Sequence, residues 1–260
     1  MNYDHYRFID VRKEGRIAFV TLSRPDALNA CLEVDHREMA TIPGDLAADD
    51  EVDVVVATGA GRAFSVGGHV AMLKELTEDG GTRARVERDA REMIMRLVAL
   101  DKPLVVALNG VAMGGGLAFA LMGDVIIAER HAKVADGHVL AGIAAGDGGV
   151  LTWPLYAGLL RAKRWLLTGD WITAEEAYRV GLVTEVVDTG QSLTRATEFA
   201  EQLAALPQAA VRSTKRALNH WMQVGAAAFD LSLTAEFRDL AAPEAASRAR
   251  EFFAKSWDAS

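Results

Sequence analysis

The first sixty residues combine alternating polar and apolar positions with short continuous apolar runs. Two such stretches flank Glu14-Gly15, a turn signal that predicts a β-hairpin. After a break at Pro25-Asp26, apolar residues recur at helical spacing, and another short apolar run follows. The predicted elements are strands at 8–11, 16–22 and 54–57 and a helix at 32–48.

The middle of the chain repeats the order strand, helix, strand. Apolar runs at 104–108 and 125–128 are separated by a helical stretch that opens with glycines. Residues 83–100 carry apolar side chains at helical spacing and charged ones between them, which predicts a surface helix. Beyond Gly148 the pattern is mainly helical, with a strand at 182–187 and helices at 193–205, 207–222 and 243–255.

The C-terminal third is richer in aromatic residues than a thin helical appendage can bury by itself. Examples are Trp221, Phe229, Phe237 and Phe252. Subunit contact is therefore expected there. The whole pattern predicts repeated β-β-α units packed against a helical tail.

Composition narrows the class of protein and partner. Of 260 residues, 50% are hydrophobic and 25% charged, which excludes disorder and indicates a substantial core. A formal charge of −8 disfavours nucleic acid and anionic membrane as partners, so a small molecule is expected. The single Cys31 and the lack of zinc-ligand spacing predict a reducing cytoplasm and no metal site. Neither an export signal nor a membrane span is expected.

Two glycine turns are placed where they could hold an anion. Gly67-Gly68 and Gly114-Gly115-Gly116 each follow a predicted strand and precede helical sequence. Glycine allows close backbone approach and leaves main-chain N–H groups free to point at negative charge. Each turn alone also has a plain explanation, a backbone that needs positive φ. Residues 110–116 lack the Lys-Ser/Thr ending of a Walker A loop and the glycine spacing of a dinucleotide-binding motif. Ser65 does not lie in the G-x-S-x-G motif of a serine hydrolase.

Four ordered segments together resemble the enoyl-CoA hydratase/isomerase family, also called the crotonase superfamily. Residues 23–30 resemble its N-R-P-x-x-x-N-A segment, and residues 61–70 resemble G-x-A-F-x-A-G-x-D-I. Residues 109–116 resemble N-G-x-x-x-G-G-G, and residues 167–183 are similar to L-T-G-x-x-x-x-A-x-x-A-x-x-x-G-L-V. The resemblance extends along nearly the whole chain.

This resemblance implies an α/β fold, a crotonase-like spiral of repeated β-β-α units with a helical C-terminal oligomerisation region. It implies a core with an acyl-CoA site at 1–200 and a trimerisation region at 201–260. It also implies a homotrimer or a dimer of trimers. The function expected from it is turnover of an acyl-CoA thioester through an enolate.

The resemblance also assigns roles to residues. It places the thioester oxygen between the backbone N–H groups of Gly68 and Gly115, a preorganised pair of donors. Coenzyme A is expected as part of the substrate, with no prosthetic group. The substrate-binding positions it implies are Arg24, Ala27, Leu28, Ala63, Gly67, Gly68, His69 and Val70. Arg24 could equally be a solvated loop residue, and His69 could be only a local hydrogen-bonding group.

The sequence departs from the family where catalytic glutamates are usual. Those two positions hold Ala118 and His138, so the two-glutamate hydration mechanism cannot be carried over. Asp147 adds a carboxylate to a turn of glycines nine residues after His138. We therefore predict that His138 and Asp147 form the acid–base pair, with an oriented histidine as base. The alternative is that Asp147 caps the next helix and His138 is structural.

Three other functions stay open at this stage. The His/Asp spacing resembles 6-oxocamphor hydrolase, a family member that cleaves a carbon–carbon bond in a β-diketone. The retained glycine turns favour a thioester over that reaction. 4-Chlorobenzoyl-CoA dehalogenase carries a nucleophilic aspartate in about the same turn as Asp147. Loss of both glutamates also fits a non-catalytic CoA-binding subunit.

Overall fold

A computed structural model describes residues 1–242 and 247–248. The predicted hairpin is confirmed, with β1 (Ile9–Glu14) antiparallel to β2 (Ile17–Leu22). The predicted helix and buried strand follow as α1 (Glu33–Ala48) and β3 (Val54–Gly59). The front of the chain thus folds as its hydrophobic pattern predicts.

Three successive units each place one strand in a large sheet and one in a small sheet. The large-sheet strands are β3, β5 (Leu104–Leu108) and β7 (Val125–Glu129), and the small-sheet strands are β4 (Ala63–Ser65), β6 (Val111–Met113) and β8 (Lys133–Ala135). The helices between them are α2 (Val70–Glu78), α3 (Gly80–Ala99) and α4 (Gly114–Ala120). This is the expected β-β-α spiral.

The remaining elements complete the two sheets and cover them. They are α5 (Gly149–Ala157), α6 (Leu159–Thr168), β9 (Ile172–Thr173), α7 (Ala174–Val180), β10 (Glu185–Val187), α8 (Ser192–Ala204), α9 (Gln208–Val224) and α10 (Ala226–Leu240). The large sheet has the order β1-β2-β3-β5-β7-β10 and the small one β4-β6-β8-β9. All pairs are parallel except β1–β2 and β8–β9.

Both faces of the large sheet are buried, which explains the continuous apolar runs of its strands. One face packs against the main core, to which α1 and α3 contribute Met39, Ile42, Met93 and Ile94. The opposite face is covered by α8 through Ala196 and Ala200. None of the helices in the described part of the chain is long and apolar enough to cross a bilayer.

Two C-terminal expectations need correction. The strand predicted at 182–187 begins only at Glu185, because Leu182 and Val183 turn back onto α7 through Ala177 O. Phe229 and Phe237 lie on α10, a helix that was not predicted from the sequence, and they are buried within the chain. Trp221 is 69% exposed. The helix predicted at 243–255 and Phe252 lie outside the described residues.

Candidate active site

The two glycine turns lie against each other. At Gly67, where φ is +80°, a Cβ atom would lie 2.9 Å from Met113 O and 3.3 Å from Gly115 N. At Gly116, a Cβ atom would lie 2.6 Å from Ser65 O. Only residues without side chains allow the backbones to approach this closely. The glycines are thus needed for packing as well as for conformation.

Backbone geometry leaves the two predicted N–H donors available. Gly68 forms a parallel bridge with Cys31, in which Cys31 N donates to Gly67 O and His69 N donates to Cys31 O. In such a bridge the N–H of the central residue points away from the paired strand. Gly115 is the second residue of α4, so its N–H has no acceptor within the helix.

His138 is held by a carboxylate at each ring nitrogen. Its Nδ1 lies 2.6 Å from Asp136 Oδ1, and its Nε2 lies 3.0 Å from Asp147 Oδ2. The predicted pair of His138 and Asp147 is therefore in hydrogen-bond contact. Asp147 is not the helix cap, since α5 begins at Gly149 with Gly148 at its N-cap. The orienting carboxylate on Nδ1 is Asp136.

The pKa values of His138 and Asp147 are shifted by burial and by the charged groups close to them. Burial opposes the imidazolium, but the acidic groups around it, Asp136 foremost, outweigh burial and raise the pKa of His138 well above its usual value. Burial acts to raise the pKa of Asp147, and the attraction of His138 overcomes it and lowers that pKa. These surroundings favour the imidazolium form of His138, and its role as a base stays a prediction. The carboxylate beside it can accept a proton.

One cavity joins this cluster to the glycine turns, and its walls are mostly apolar. Asp147 Oδ2 lies 3.1 Å from where a Cβ of Gly115 would be, so the carboxylate sits beside the predicted donor. The lining residues are His36, Val66, Gly68, Met72, Leu73, Leu76, Val86, Met113, Gly114, Gly115, Gly137, His138, Ala141, Ile143, Asp147, Glu236 and Phe237.

Two buried polar residues of the cavity were not predicted as primary site residues. His36, on α1, carries a buried Nδ1 without a partner among the described residues, and burial lowers its pKa. Glu236, on α10, places Oε1 3.7 Å from His138 Nε2. Neither lies in a family-like segment, and Glu236 follows Asp147 by 89 residues. Only the tertiary fold shows that both line the cavity beside His138 and Asp147.

The same cluster has the spacing of potential metal ligands. One ligating atom from each of His138, Asp147 and Glu236 lies within 4.8 Å of the other two. The His138 Nε2 is hydrogen-bonded to Asp147 rather than splayed toward a shared centre. The expectation of no metal stays a prediction.

The predicted substrate-binding residues border the first glycine turn. Arg24 donates to Ala30 O at 2.7 Å and forms an ion pair with Asp35, so it has local partners rather than being a solvated loop residue. His69 is the N-cap of α2, with Nδ1 accepting from Ala71 N at 3.1 Å, the local role considered above. Ala63 is 1% exposed as a whole residue, and its carbonyl oxygen accepts a hydrogen bond from Asn29 Nδ2 at 2.9 Å, so it offers a ligand no open surface in this structure.

The rest of this group lies close by. Leu28 adopts φ +51° and accepts a hydrogen bond from Val66 N, which links the segment around Ala27 to the first turn. Val70 is the first residue of α2 and is half-exposed. Of the predicted substrate-binding positions, Gly68 lines the cavity described above, and the other seven are not among its lining residues. Their binding roles stay predictions.

Comparison with known proteins agrees with this architecture. The family model described as "Enoyl-CoA hydratase/isomerase" matches residues 12–242. The chain is 35% identical over 214 residues to a short-chain-enoyl-CoA hydratase of Clostridium acetobutylicum, covering 82% of this chain and 81% of that one. It is 33% identical over 217 residues to 1,2-epoxyphenylacetyl-CoA isomerase of Escherichia coli, covering 82% of each.

A solved structure is similar across the whole fold. The crystal structure of an enoyl-CoA hydratase/isomerase from Mycobacterium paratuberculosis superposes with a TM-score of 0.92 and 39% identity, covering 96% of this chain and 100% of that one. With a family match over most of its length, the chain belongs to the enoyl-CoA hydratase/isomerase family.

Proposed function

We propose that this enzyme catalyses a hydratase/isomerase-type reaction on an acyl-CoA thioester, with the enolate oxygen held by the N–H groups of Gly68 and Gly115. One observation carries the proposal: both glycine turns and the carboxylate-bound His138 line the same cavity. The reaction needs donors for the developing oxygen charge and an acid–base group near the adjacent carbons.

The charge distribution assigns the acid–base roles. Asp147, ionised and beside Gly115, accepts a proton from water or from the acyl chain. His138, hydrogen-bonded to Asp147 at 3.0 Å, carries a proton into or out of the pair. Asp136 fixes the ring from the other side. This pair replaces the glutamates expected at Ala118 and His138.

The substrate class follows from the walls of the cavity and from the relatives. Met72, Leu76, Val86, Ile143 and Phe237 offer apolar surface to an acyl group. The named relatives act on short-chain enoyl-CoA and 1,2-epoxyphenylacetyl-CoA. These observations support an apolar acyl group whose thioester reaches Gly68 and Gly115, with the coenzyme A moiety near Arg24, Leu28, His69 and Val70.

The assembly and the compartment are also proposals. Apolar side chains on α9 and α10 remain exposed in the single chain, among them Leu218, Trp221, Val224 and Leu231. Such a group of side chains supports association into a trimer or a dimer of trimers. The free, buried thiol of Cys31 suits a reducing cytoplasm.

The test compares substrates and one variant. The purified protein is assayed with crotonyl-CoA for hydration, a 3-enoyl-CoA for isomerisation and a β-diketone for carbon–carbon cleavage, and thioester binding is measured by calorimetry. We expect turnover of an enoyl-CoA and loss of about 10²-fold or more in Asp147→Asn. Binding without any turnover would instead indicate a CoA-binding subunit. Cleavage of the β-diketone alone would indicate the hydrolase.

A further inference from the structure

The C-terminal helix α10 delivers a third carboxyl group to the cavity. Glu236 is 6% exposed, and its Oε1 lies 3.7 Å from His138 Nε2. Gly146 makes room for it, because a Cβ there would overlap Glu236 Oε2 and lie 3.0 Å from Leu233 Cα. The turn that carries Asp147 is therefore shaped to admit Glu236.

The surroundings of Glu236 favour its neutral form. Its Oε2 is buried and has no hydrogen-bond partner among the described residues, and Oε1 is beyond hydrogen-bond distance of His138. A buried carboxylate is stable only when donors or a close cation satisfy it. Burial and the charge of Asp147 raise the pKa of Glu236 well above its usual value, with His138 opposing them. Its burial and the unpartnered Oε2 thus favour the carboxylic acid form.

We infer that Glu236 is the proton donor of this site, opposite in role to Asp147, which is the acceptor. The inference rests on the proposed function, because it divides the acid–base work of that reaction between two groups. Addition across a double bond requires one proton to be taken and another to be given. A neutral acid and an ionised carboxylate, both near Nε2 of His138, supply both.

The proton balance can be followed through hydration of an enoyl thioester. Water loses a proton to Asp147 as its oxygen bonds to Cβ, and the electron pair of the double bond moves to the thioester oxygen at Gly68 and Gly115. As the enolate collapses, Cα takes the proton of Glu236. Asp147 is then protonated and Glu236 ionised.

His138 can reset the two groups. Its Nε2 lies 3.0 Å from Asp147 Oδ2 and 3.7 Å from Glu236 Oε1. The imidazolium gives its Nε2 proton to Glu236 and takes the one held by Asp147. Every proton is accounted for, and water is the only co-reactant. The raised pKa of His138 suits this role, since the imidazole must start protonated.

The first test is the variant Glu236→Gln with crotonyl-CoA as probe. Glutamine keeps the size and the neutral charge but cannot give up a proton, so we expect kcat to fall about 10²-fold or more with little change in thioester Kd. Ser232→Ala is the matched control, because Ser232 lies one turn earlier on α10 and only donates to Ala145 O at 2.7 Å. Unchanged kcat in Glu236→Gln would overturn the assignment.

The pH profile separates a proton donor from a structural residue. The donor must be protonated, so wild-type kcat falls as pH rises through the pKa of Glu236, and this fall is absent from the residual activity of Glu236→Gln. The charged groups that act on Glu236 are His138, Asp136 and Asp147 from the adjoining loops and Glu87 from α3. A pH profile of Glu236→Gln that superposes on the wild-type profile would contradict the role.

A substrate-free measurement keeps this inference distinct from the proposed function. Infrared difference spectra of the wild type and Glu236→Gln at neutral pH should show a protonated carboxyl band that shifts in D₂O and is lost in the variant. Absence of that band overturns the inference. If the band is present but wild type turns over none of the thioesters, the proposed function fails, and the donor role, which depends on it, is overturned with it.

Discussion

Replacing His138 by alanine should destabilise the protein in a way that depends on pH. The change removes the cation that Asp136 and Asp147 bind from opposite sides. It leaves two buried carboxylates facing a neutral Glu236. Removing one partner of a buried ion pair costs about 3–5 kcal/mol, because the remaining charge is uncompensated. For a chain of this size, that is a fall of about 6–20 °C in the unfolding midpoint.

The sign of the pH effect follows from the pKa shifts. In the wild type the pKa of His138 is raised, so its stabilising contribution is complete below its ordinary value of 6.5 and is lost as pH rises through the folded value. Without His138, burial raises the pKa of the stranded carboxylates. Their cost is then present at high pH and disappears as they take up protons. Below pH 6.5 the contribution of His138 to the wild type is constant, so the difference between variant and wild type should shrink between about pH 6.5 and pH 5, as the carboxylates of the variant take up protons.

Urea unfolding at the two pH values measures both free energies. The double variant His138→Ala/Asp147→Asn is the control, because it removes one stranded carboxylate and should be more stable than His138→Ala at the higher pH. A penalty of equal size at both pH values would show that only packing was lost. The account of a charged cluster would then be wrong.

Three further predictions concern the glycines and the assembly. Gly115→Pro deletes the second oxyanion donor and should lower turnover about 10²-fold or more. The control Gly115→Ala keeps the N–H group and measures only the effect of crowding against Asp147. Equal rates in the two variants would contradict the donor role. Gly146→Ala should displace α10 and cost about 1–3 kcal/mol in thermal unfolding, a loss that Glu236→Ala in the same chain should reduce. Light scattering should show a trimer or a multiple of it, and a 28.0 kDa monomer at micromolar concentration would refute the assembly.

The sequence predicted most of the fold because the strands of the spiral are buried on both faces. Their continuous apolar runs at 54–57, 104–108 and 125–128 are recognisable in the sequence without any knowledge of the fold. Helix α10 was missed, since its buried residues Phe229 and Phe237 were interpreted as subunit contacts. Burial of a helix by its own chain and burial by a neighbouring copy produce the same apolar pattern, so periodicity alone cannot separate them.

The site was predictable only where its residues lie in continuous segments. His138 and Asp147 are nine residues apart around one turn, and their contact was predicted. Glu236 reaches the same imidazole from a helix 89 residues later, and the signal for its approach is Gly146, one glycine among several. The raised pKa of His138 could not be predicted from the sequence either, since it depends on the acidic groups that the fold gathers around the imidazole.

The two departures from the family pattern, Ala118 in place of a glutamate and Asp147 in the glycine turn, lie next to each other in the structure. Main-chain donors at Gly68 and Gly115 require only that the turns keep their glycines, whereas acid–base groups are side chains and can be supplied from other positions. Here the turn of Asp147 and Gly148 occupies the wall next to α4, where a Cβ of Gly148 would lie 3.9 Å from Ala118 Cβ. Ala118 is 4% exposed, so the longer side chain of a glutamate would need space next to that turn. We therefore expect that Ala118→Glu crowds the turn of Asp147 rather than adding a second acid–base group to it.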